Sequence, residues 1–330
     1  MSRDKEKIAA VVVTRNRKLL LRKCLDSLLG QSHPLDGVYI IDNHSDDGTP
    51  DHLLDNGLIG PIENSQEPTE TVRSVPVPGS DGRAVDVHYV RLAENTGGAG
   101  GFHEGMKRAL DAGFDWLWLM DDDAMLAPDA LAALVKSKRS LEALGDDPFL
   151  LNSLVLANDP ADDDRLAVPL QEFAANGDPK RGVYHWRLSE VRHMVNDGLY
   201  RWACPFNGTF VSARLASRIG LPNREFFIWG DERDFFWRTA RRFKIGTVVD
   251  SRIYHPTSRE TVFDWKQYYD IRNQIVLNRR FRYTHLRNGR LILLSLVRGA
   301  RHGRWGLTLA LRAIRDGLAG RLGKRDDLQP

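Results

Sequence analysis

Residues 116–123 read Trp116-Leu117-Trp118-Leu119-Met120-Asp121-Asp122-Asp123, five apolar positions that run straight into three carboxylates. An uncharged run with two tryptophans predicts a strand buried on both faces, as in a parallel sheet. In open α/β sheets ligands bind beyond the carboxyl ends of the strands, where these acids fall. An isolated acid triplet is more often a solvated turn. After a buried strand it becomes a candidate cation site, because hard cations take oxygen ligands and then hold phosphate oxygens. Alternation in an extended chain puts Asp121 and Asp123 on one side and Asp122 on the other. The flanking pair can share one cation, Mg²⁺ or Mn²⁺, or divide a metal and a ribose between them, so a nucleoside diphosphate is the expected ligand.

Outward from this strand the chain alternates strand and helix. Residues 8–14 (IAAVVVT) form a β-branched run, and residues 18–29 carry apolar side chains at helical spacing. A second strand at 38–41 stops at 42–49, a segment dense in turn formers. A third is expected at 87–92 and the fourth at 116–120, with a helix between them reaching about residue 112. This order predicts a parallel α/β sheet. Two polar stretches, 56–86 and 159–182, hold Pro, Gly and acids without a firm period and read as loops without a catalytic role.

Size and charge set further bounds. With 330 residues, 42% hydrophobic, the chain exceeds the size at which one core stops growing, and we expect a main domain over 1–260 with an appended segment over 261–330. A net charge of +3 is too small to imply nucleic acid, but it is unevenly spread. Residues 271–325 hold thirteen arginines and Lys324 against one acid, Asp316. The charged opening at 1–7, followed by a short strand, does not read as a signal peptide. The longest late apolar run, 291–297, is under half of the ~20 residues that span a bilayer, so a soluble or peripheral protein is expected. Cys24 and Cys204 lack metal-ligand spacing and fit unpaired thiols in a reducing cytoplasm.

Three further segments carry candidate chemistry. Asn95-Thr96-Gly97-Gly98-Ala99-Gly100-Gly101-Phe102 opens a helix with glycines, which offers backbone N–H groups to anionic oxygens or, alternatively, allows close helix packing. It fits neither G-x-G-x-x-G nor a P-loop. Residues 226–238 set Asp231, Glu232 and Asp234 among aromatics, which suits a general base or acids at a helix N-terminus. His255, near a strand end in IYHP, is a surface residue or a third metal ligand beside the two aspartates.

Taken in order, VVVTRNR, IIDNHSDDGT, NTGGAGGF, WLWLMDDDA, FNGTF with GDERD, and IYHP resemble family 2 glycosyltransferases of the GT-A fold over about residues 8–256. NTGGAGGF, DWLWLMDDD, RLAVPL, FNGTFVSARLASRIGLP and FFIWGDERDFFWR are similar to the actinobacterial galactofuranosyltransferases that begin cell-wall galactan, with related rhamnosyltransferases sharing much of them. The resemblance implies a Rossmann-like mixed sheet with a C-terminal helical, basic extension. It implies an inverting, metal-dependent hexosyl transfer from a nucleotide-diphosphate sugar to a glycan or polyprenyl-diphosphate-linked acceptor in cell-envelope synthesis. The donor it suggests is uridine diphosphate galactofuranose, with thymidine diphosphate rhamnose as the alternative; a non-catalytic nucleotide-sugar or lipid-phosphate binding protein is the reading from another class.

Carried over residue by residue, Thr14, Arg15 and Asp42 would border the nucleotide base, and Asn95, Gly97 and Gly98 would lie along the diphosphate or sugar. Asp121 and Asp122 would also touch the donor, Asp121, Asp123 and His255 would hold the metal, and Glu232 or Asp231 would be the base. Related enzymes often have Asp where this chain has Glu232. In the tail, arginines alternating with Leu, Ile and Val over 286–318, plus Trp305, predict amphipathic helices with a basic face. That face suits the anionic inner surface of the cell membrane or, alternatively, the helices form a cap packed on the domain with solvated arginines; residues 268–273 could border the acceptor diphosphate.

Overall fold

The computed structural model describes residues 6–62, 68–146, 148–158, 162–174, 179–202, 206–256 and 263–328. Cys204 and the expected 260/261 boundary lie outside the described residues. The chain divides into two compact units. One comprises residues 1–95, 101–221 and 236–257, the other residues 96–100, 222–235 and 258–330.

Among the described residues all the strands belong to the first unit. They are β1 (Ile8–Thr14), β2 (Gly37–Asp42), β3 (Thr69–Pro76), β4 (Ala84–Arg91), β5 (Trp116–Asp121), β6 (Met125–Leu126), β7 (Phe149–Ala157), β8 (Arg165–Phe173), β9 (Pro179–Arg187), β10 (Leu199–Tyr200), β11 (Thr209–Ser212) and β12 (Lys244–His255). The α-helices among the described residues are α1 (Lys18–Leu29), α2 (Thr49–Asp55), α3 (Gly97–Asp111), α4 (Ala130–Ala143), α5 (Leu188–Val191), α6 (Ala213–Ile219), α7 (Asp231–Ala240), α8 (Lys266–Asn278), α9 (Thr284–Arg301) and α10 (Gly303–Ala319).

The main sheet runs β10-β12-β7-β11-β5-β1-β2-β4-β3. Its centre is parallel, β4, β2, β1 and β5 lying side by side, while β11 enters antiparallel between β5 and β7 and makes the sheet mixed. The continuous apolar runs are the strands buried on both faces: every residue of β1 and β2 is buried, as are residues 116–120 of β5. Close packing of α3 on this sheet depends on glycine. A Cβ at Gly101 would meet Val13, and one at Gly105 would meet Val11 and Ile41.

Both stretches expected to be loops contain strands. Residues 56–86 hold β3, an antiparallel edge strand on β4, and residues 159–182 hold much of the β8/β9 hairpin. Only Val75 is buried in β3, so the strand lacks the apolar face that would have marked it. The glycines of 97–101 likewise form the first turns of α3 rather than a loop before it.

In the second unit α8 packs with α9 and α10 around Phe227, Tyr268, Tyr269, Ile271, Ile275, Leu309, Ala313 and Ile314. Gly299 and Gly306 let α9 and α10 approach backbone to backbone, since a Cβ on either would meet the other's carbonyl oxygen. The residues 268–273, expected to border an acceptor diphosphate, are mostly core: Tyr268, Tyr269, Ile271, Arg272 and Asn273 are all buried. Arg272 donates to the carbonyls of Phe226 and Gly323 at 3.0 and 2.6 Å.

Candidate active site

The parallel centre of the sheet aligns the carboxyl ends of its strands. Thr14 pairs in register with Asp42, and Val13 with Asp121. The chain leaving β5 then turns through Asp122 and Asp123 into β6, whose two residues pair with Ile253 and Tyr254 of β12. That short pairing carries His255 to the acid triplet from 132 positions away along the sequence. One ligand atom each from Asp121, Asp123 and His255 lies within 4.8 Å of the others.

The middle acid lies outside that set and is bonded to Thr14 and Arg17. Asp122 is buried, accepting from Thr14 Oγ1 at 2.7 Å and from Arg17 at 3.2 Å. Arg17 also reaches Asp123 Oδ2 at 2.7 Å. Asn207, in the turn before β11, accepts from the Asp121 N–H at 3.4 Å. Gly208 beside it has φ +86° and no room for a Cβ between Ser153 and Ile253. Neither Arg17 nor Asn207 was singled out from sequence. The signal for Arg17 was its place three residues past Thr14, within reach of the same strand end.

Three carboxylates face one guanidinium and one imidazole, and their proton affinities diverge accordingly. Burial, then the charges of Asp123 and Asp122, push Asp121 up to about 7. Burial also outweighs the Thr14 bond and Arg17 to raise Asp122 to about 6. For Asp123 burial is overcome by His255 and Arg17, so its pKa is lowered. For His255 burial is overcome by Asp123 and Asp121, so its pKa is raised. The imidazole Nε2 lies 2.9 Å from Asp123 Oδ1, yet that buried oxygen has no well-formed hydrogen bond. Nδ1 lies 2.7 Å from the carbonyl of Pro256, so a proton held there leaves Nε2, which faces Asp123, as the nitrogen that would ligate a cation once the cation displaces the ring's second proton. Two carboxylates, one with an unsatisfied oxygen, and one imidazole form a donor set that fits Mg²⁺ or Mn²⁺.

The other sequence candidates fall in both units. In the first, Asp42 is fully buried, accepting from the Ser45 N–H at 2.8 Å and from the Tyr89 hydroxyl. Arg15 is exposed and donates to the carbonyl of Asn43 at 3.1 Å. Asn95 is partly buried at the end of the β4–α3 connection. In the second unit, a side chain at Gly97 would run into the backbone of Phe227, whereas the space beside Gly98 is open.

Asp231 and Glu232 also lie in the second unit, at the start of α7. Asp231 is buried at 3% exposure; Glu232 is only partly buried, and its Oε2 accepts from the Gly230 N–H at 2.7 Å. The preceding loop is held in an unusual shape. Phe227 and Trp229 take φ of +68° and +57°, which L-residues rarely adopt. The Asn273 side-chain amide reaches the carbonyls of Phe226, Ile228 and Trp229 at 3.1, 2.9 and 2.5 Å. Glu232, Trp229 and Asn273 share a pocket of about 220 Å³ lined entirely by second-unit residues.

Comparison with known proteins gives these sites a context. The Glycosyl transferase family 2 model matches residues 9–57 and 81–145, which include β1, β2, β5 and the acid triplet. The chain is 34% identical over 256 residues to galactofuranosyltransferase GlfT1 of Mycobacterium tuberculosis (strain ATCC 25618 / H37Rv), covering 76% of this chain and 70% of that protein. It is 31% identical over 258 residues to galactofuranosyltransferase GlfT1 of Mycolicibacterium smegmatis (strain ATCC 700084 / mc(2)155), covering 76% and 71%. The solved structure of GalNAc-T7 with UDP, GalNAc and Mn²⁺ matches with a TM-score of 0.58 at 15% identity, covering 96% of this chain and 55% of that one. At that identity the likeness is one of fold, the GT-A mixed sheet.

Proposed function

This chain belongs to glycosyl transferase family 2 and is a glycosyltransferase, and from that premise we propose that it moves galactofuranose from uridine diphosphate galactofuranose with inversion. The acceptor is a hydroxyl of a glycan or polyprenyl-diphosphate-linked saccharide in cell-envelope polysaccharide synthesis. The observation that carries the donor half is the convergence of Asp121, Asp123 and His255 at the carboxyl ends of β5 and β12. Identity to two galactofuranosyltransferases supports the choice of sugar.

In this reading Thr14, Arg15 and Asp42 border the base, and Asn95, Gly97, Gly98 and Asp122 line the diphosphate and sugar. Asp121, Asp123 and His255 hold Mg²⁺ or Mn²⁺. A divalent cation bound there supplies positive charge to the leaving diphosphate. Arg17, already on Asp122 and Asp123, offsets the excess acid charge of the triplet.

Glu232 removes the proton of the acceptor hydroxyl as the donor C–O bond breaks. Its partial exposure and the Gly230 N–H that orients one oxygen support it over Asp231, which is buried. The reaction centre gains oxocarbenium character, so charge at the diphosphate and proton removal act on the same transition state.

The protein works in the cytoplasm, peripheral to the anionic inner face of the cell membrane. Supporting this, α9 and α10 expose Leu286, Leu293, Val297, Trp305 and Leu311 among arginines. Among the described residues no helix is long and apolar enough to cross a membrane.

A donor screen by thermal shift with Mn²⁺ present tests the proposal. A donor held at 100 times its Kd adds about 2.7 kcal/mol to stability. Uridine diphosphate galactofuranose should raise Tm in a manner abolished by EDTA. A shift with thymidine diphosphate rhamnose alone would reassign the donor, and full transfer activity after EDTA would remove the metal.

A further inference from the structure

The β8/β9 hairpin carries an aromatic face that the donor site does not use. Cross-strand pairing tells its two sides apart. Leu170 is buried and sits opposite His185, so Tyr184 and Trp186, one step to either side of His185, project from the outer face. The inner face joins Leu166, Leu170, Leu188 and Val191 to Tyr200 and Trp202 in one apolar cluster. An outward strand face is ordinarily polar. Here two rings stand 51% and 53% exposed, two residues apart on one strand, and the Gln171 amide lies 3.5 Å from the Tyr184 hydroxyl.

The strand beneath the rings is held in place. The Trp186 N–H donates to Glu190 Oε2 at 2.8 Å and the Arg187 N–H to the same oxygen at 3.3 Å, which ties the end of β9 to α5. Arg187 pairs with Asp162 and Asp164 at 3.1 and 3.4 Å, and Lys180 pairs with Glu172. Aromatic side chains with two torsions on a fixed backbone lose little entropy when a ligand settles on them.

Charge and area choose the occupant. Residues 162–190 hold six acids against four Lys or Arg, so the hairpin is net negative and repels an anionic lipid surface or a phosphate. At about 150–250 Å² per ring, half of it exposed, the patch amounts to about 200 Å², far below the ~800 Å² that a stable protein partner covers. A sugar ring meets both limits. It is neutral, lays C–H groups of one face on an aromatic ring, and turns hydroxyls toward amides and carboxylates at the edge.

Position then selects which sugar. Leu166 at the start of β8 pairs with Leu156 of β7, and the next residue of β7, Ala157, pairs with His255. Counted across β12, β7, β8 and β9, the Arg187 end of β9 is three strand spacings, about 14 Å, from His255. An oligosaccharide spans that gap and a single ring does not. We propose that Tyr184 and Trp186 bind a neutral saccharide, the part of the acceptor glycan that lies beyond the residue being glycosylated. The assignment rests on the glycan acceptor of the proposed function.

The test compares wild type with the double variant Tyr184→Ala/Trp186→Ala, with the milder Trp186→Gln, and with Trp186→Phe as the conservative control. Tetrasaccharides of galactofuranose and of rhamnose, each against its methyl monosaccharide, serve as probes in saturation-transfer NMR, which needs no turnover. At least one tetrasaccharide should bind wild type more tightly than its monosaccharide. Its affinity should fall about five- to tenfold in the double variant, the worth of one aromatic stack, fall less in Trp186→Gln, and survive in Trp186→Phe. Because both rings are half exposed, Tm and the thermal shift from donor with Mn²⁺ should persist. In turnover assays the KM for a tetrasaccharide acceptor should rise by the same factor at unchanged kcat, while that for a monosaccharide acceptor stays put. Equal tetrasaccharide affinity in wild type and both ring-deleting variants would overturn the platform. So would loss of vesicle binding or of self-association in the double variant with glycan affinity intact, which assigns the rings to lipid or to a second copy. Ring-dependent tetrasaccharide binding in a protein that fails to transfer galactofuranose would uphold the platform and defeat the proposed donor.

Discussion

Replacing Asn273 by Ala removes the clamp on the loop that leads into α7, where the proposed base Glu232 lies. The Asn273 amide carries two hydrogens and lies within reach of three carbonyls, so at most two full hydrogen bonds exist at once. At about 0.5–1.5 kcal/mol each, they stabilise the loop by about 1–3 kcal/mol. Against this stand Phe227 and Trp229 in the left-handed region, at about 1–2 kcal/mol apiece, or roughly 2–4 kcal/mol together. The two sums are of one size, so the loop should relax once the amide is gone, while the apolar packing of Tyr269, Ile275 and Ala313 keeps the unit folded. Relaxation moves Gly230, whose N–H holds Glu232, and a misplacement of ~1 Å costs about 10²-fold in rate. We expect kcat for Asn273→Ala to fall about 10²-fold with a Tm loss of only a few degrees. Hydrogen exchange should speed up in residues 226–232 and remain slow in β1 and β5. If kcat stays within twofold of wild type while exchange in 226–232 is unaltered, the clamp argument is wrong.

Four further outcomes are expected. Asp123→Ala and His255→Ala should each abolish the Mn²⁺-dependent thermal shift with little loss of metal-free Tm, because the first also relieves the like charge on Asp121; retention of that shift in both would move the metal elsewhere. Glu232→Gln should lower kcat by about 10²- to 10⁴-fold at saturating donor; Asp231→Asn should lose less, and the reverse order would transfer the base role to Asp231. Asp316 is buried, accepts from Tyr268 at 2.8 Å and Arg325 at 3.2 Å, and its pKa is lowered as these bonds and Arg315 overcome burial. A folded pKa below the unfolded value of about 3.9 gives stability that is complete above that pH and lost as pH falls through the folded value. Asp316→Asn should therefore cost about 1.5–3 kcal/mol at pH 7 in urea unfolding, with the gap to wild type closing below about pH 4; a constant gap across pH 3–7 would show that the charge is immaterial. In flotation, the protein should bind anionic vesicles at low salt and release at high salt; Leu293→Asp with Trp305→Asp should abolish binding, and no binding by wild type at low salt would defeat the membrane placement.

How much of this was legible depended on whether a feature leaves a local pattern. The strands β1, β2 and β5 are apolar because both faces are covered, so their positions could be read from composition alone. Residues 69–76 form a strand through backbone pairing with β4 while most of their side chains meet solvent, so the run TETVRSVP lacks a dry face. The hairpin of β8 and β9 was hidden by its polar and Gly- or Pro-containing residues. β6 is two residues long, too short for any periodicity, and yet it is the pairing that brings His255 to the triplet.

The same distinction runs through the sites. Asp121, Asp123 and His255 were named because carboxylates after a buried strand and a histidine at another strand end belong to chemical types that announce themselves. Arg17 and Asn207 act through contacts that only folding creates; the position of Arg17 three residues past Thr14 marks its nearness to the strand end but not which acids it bonds. Residues 268–273 mislead in the other direction: tyrosines, an arginine and an asparagine in sequence suggest a ligand surface, but burial turns Arg272 and Asn273 inward to the carbonyls of residues 226–229.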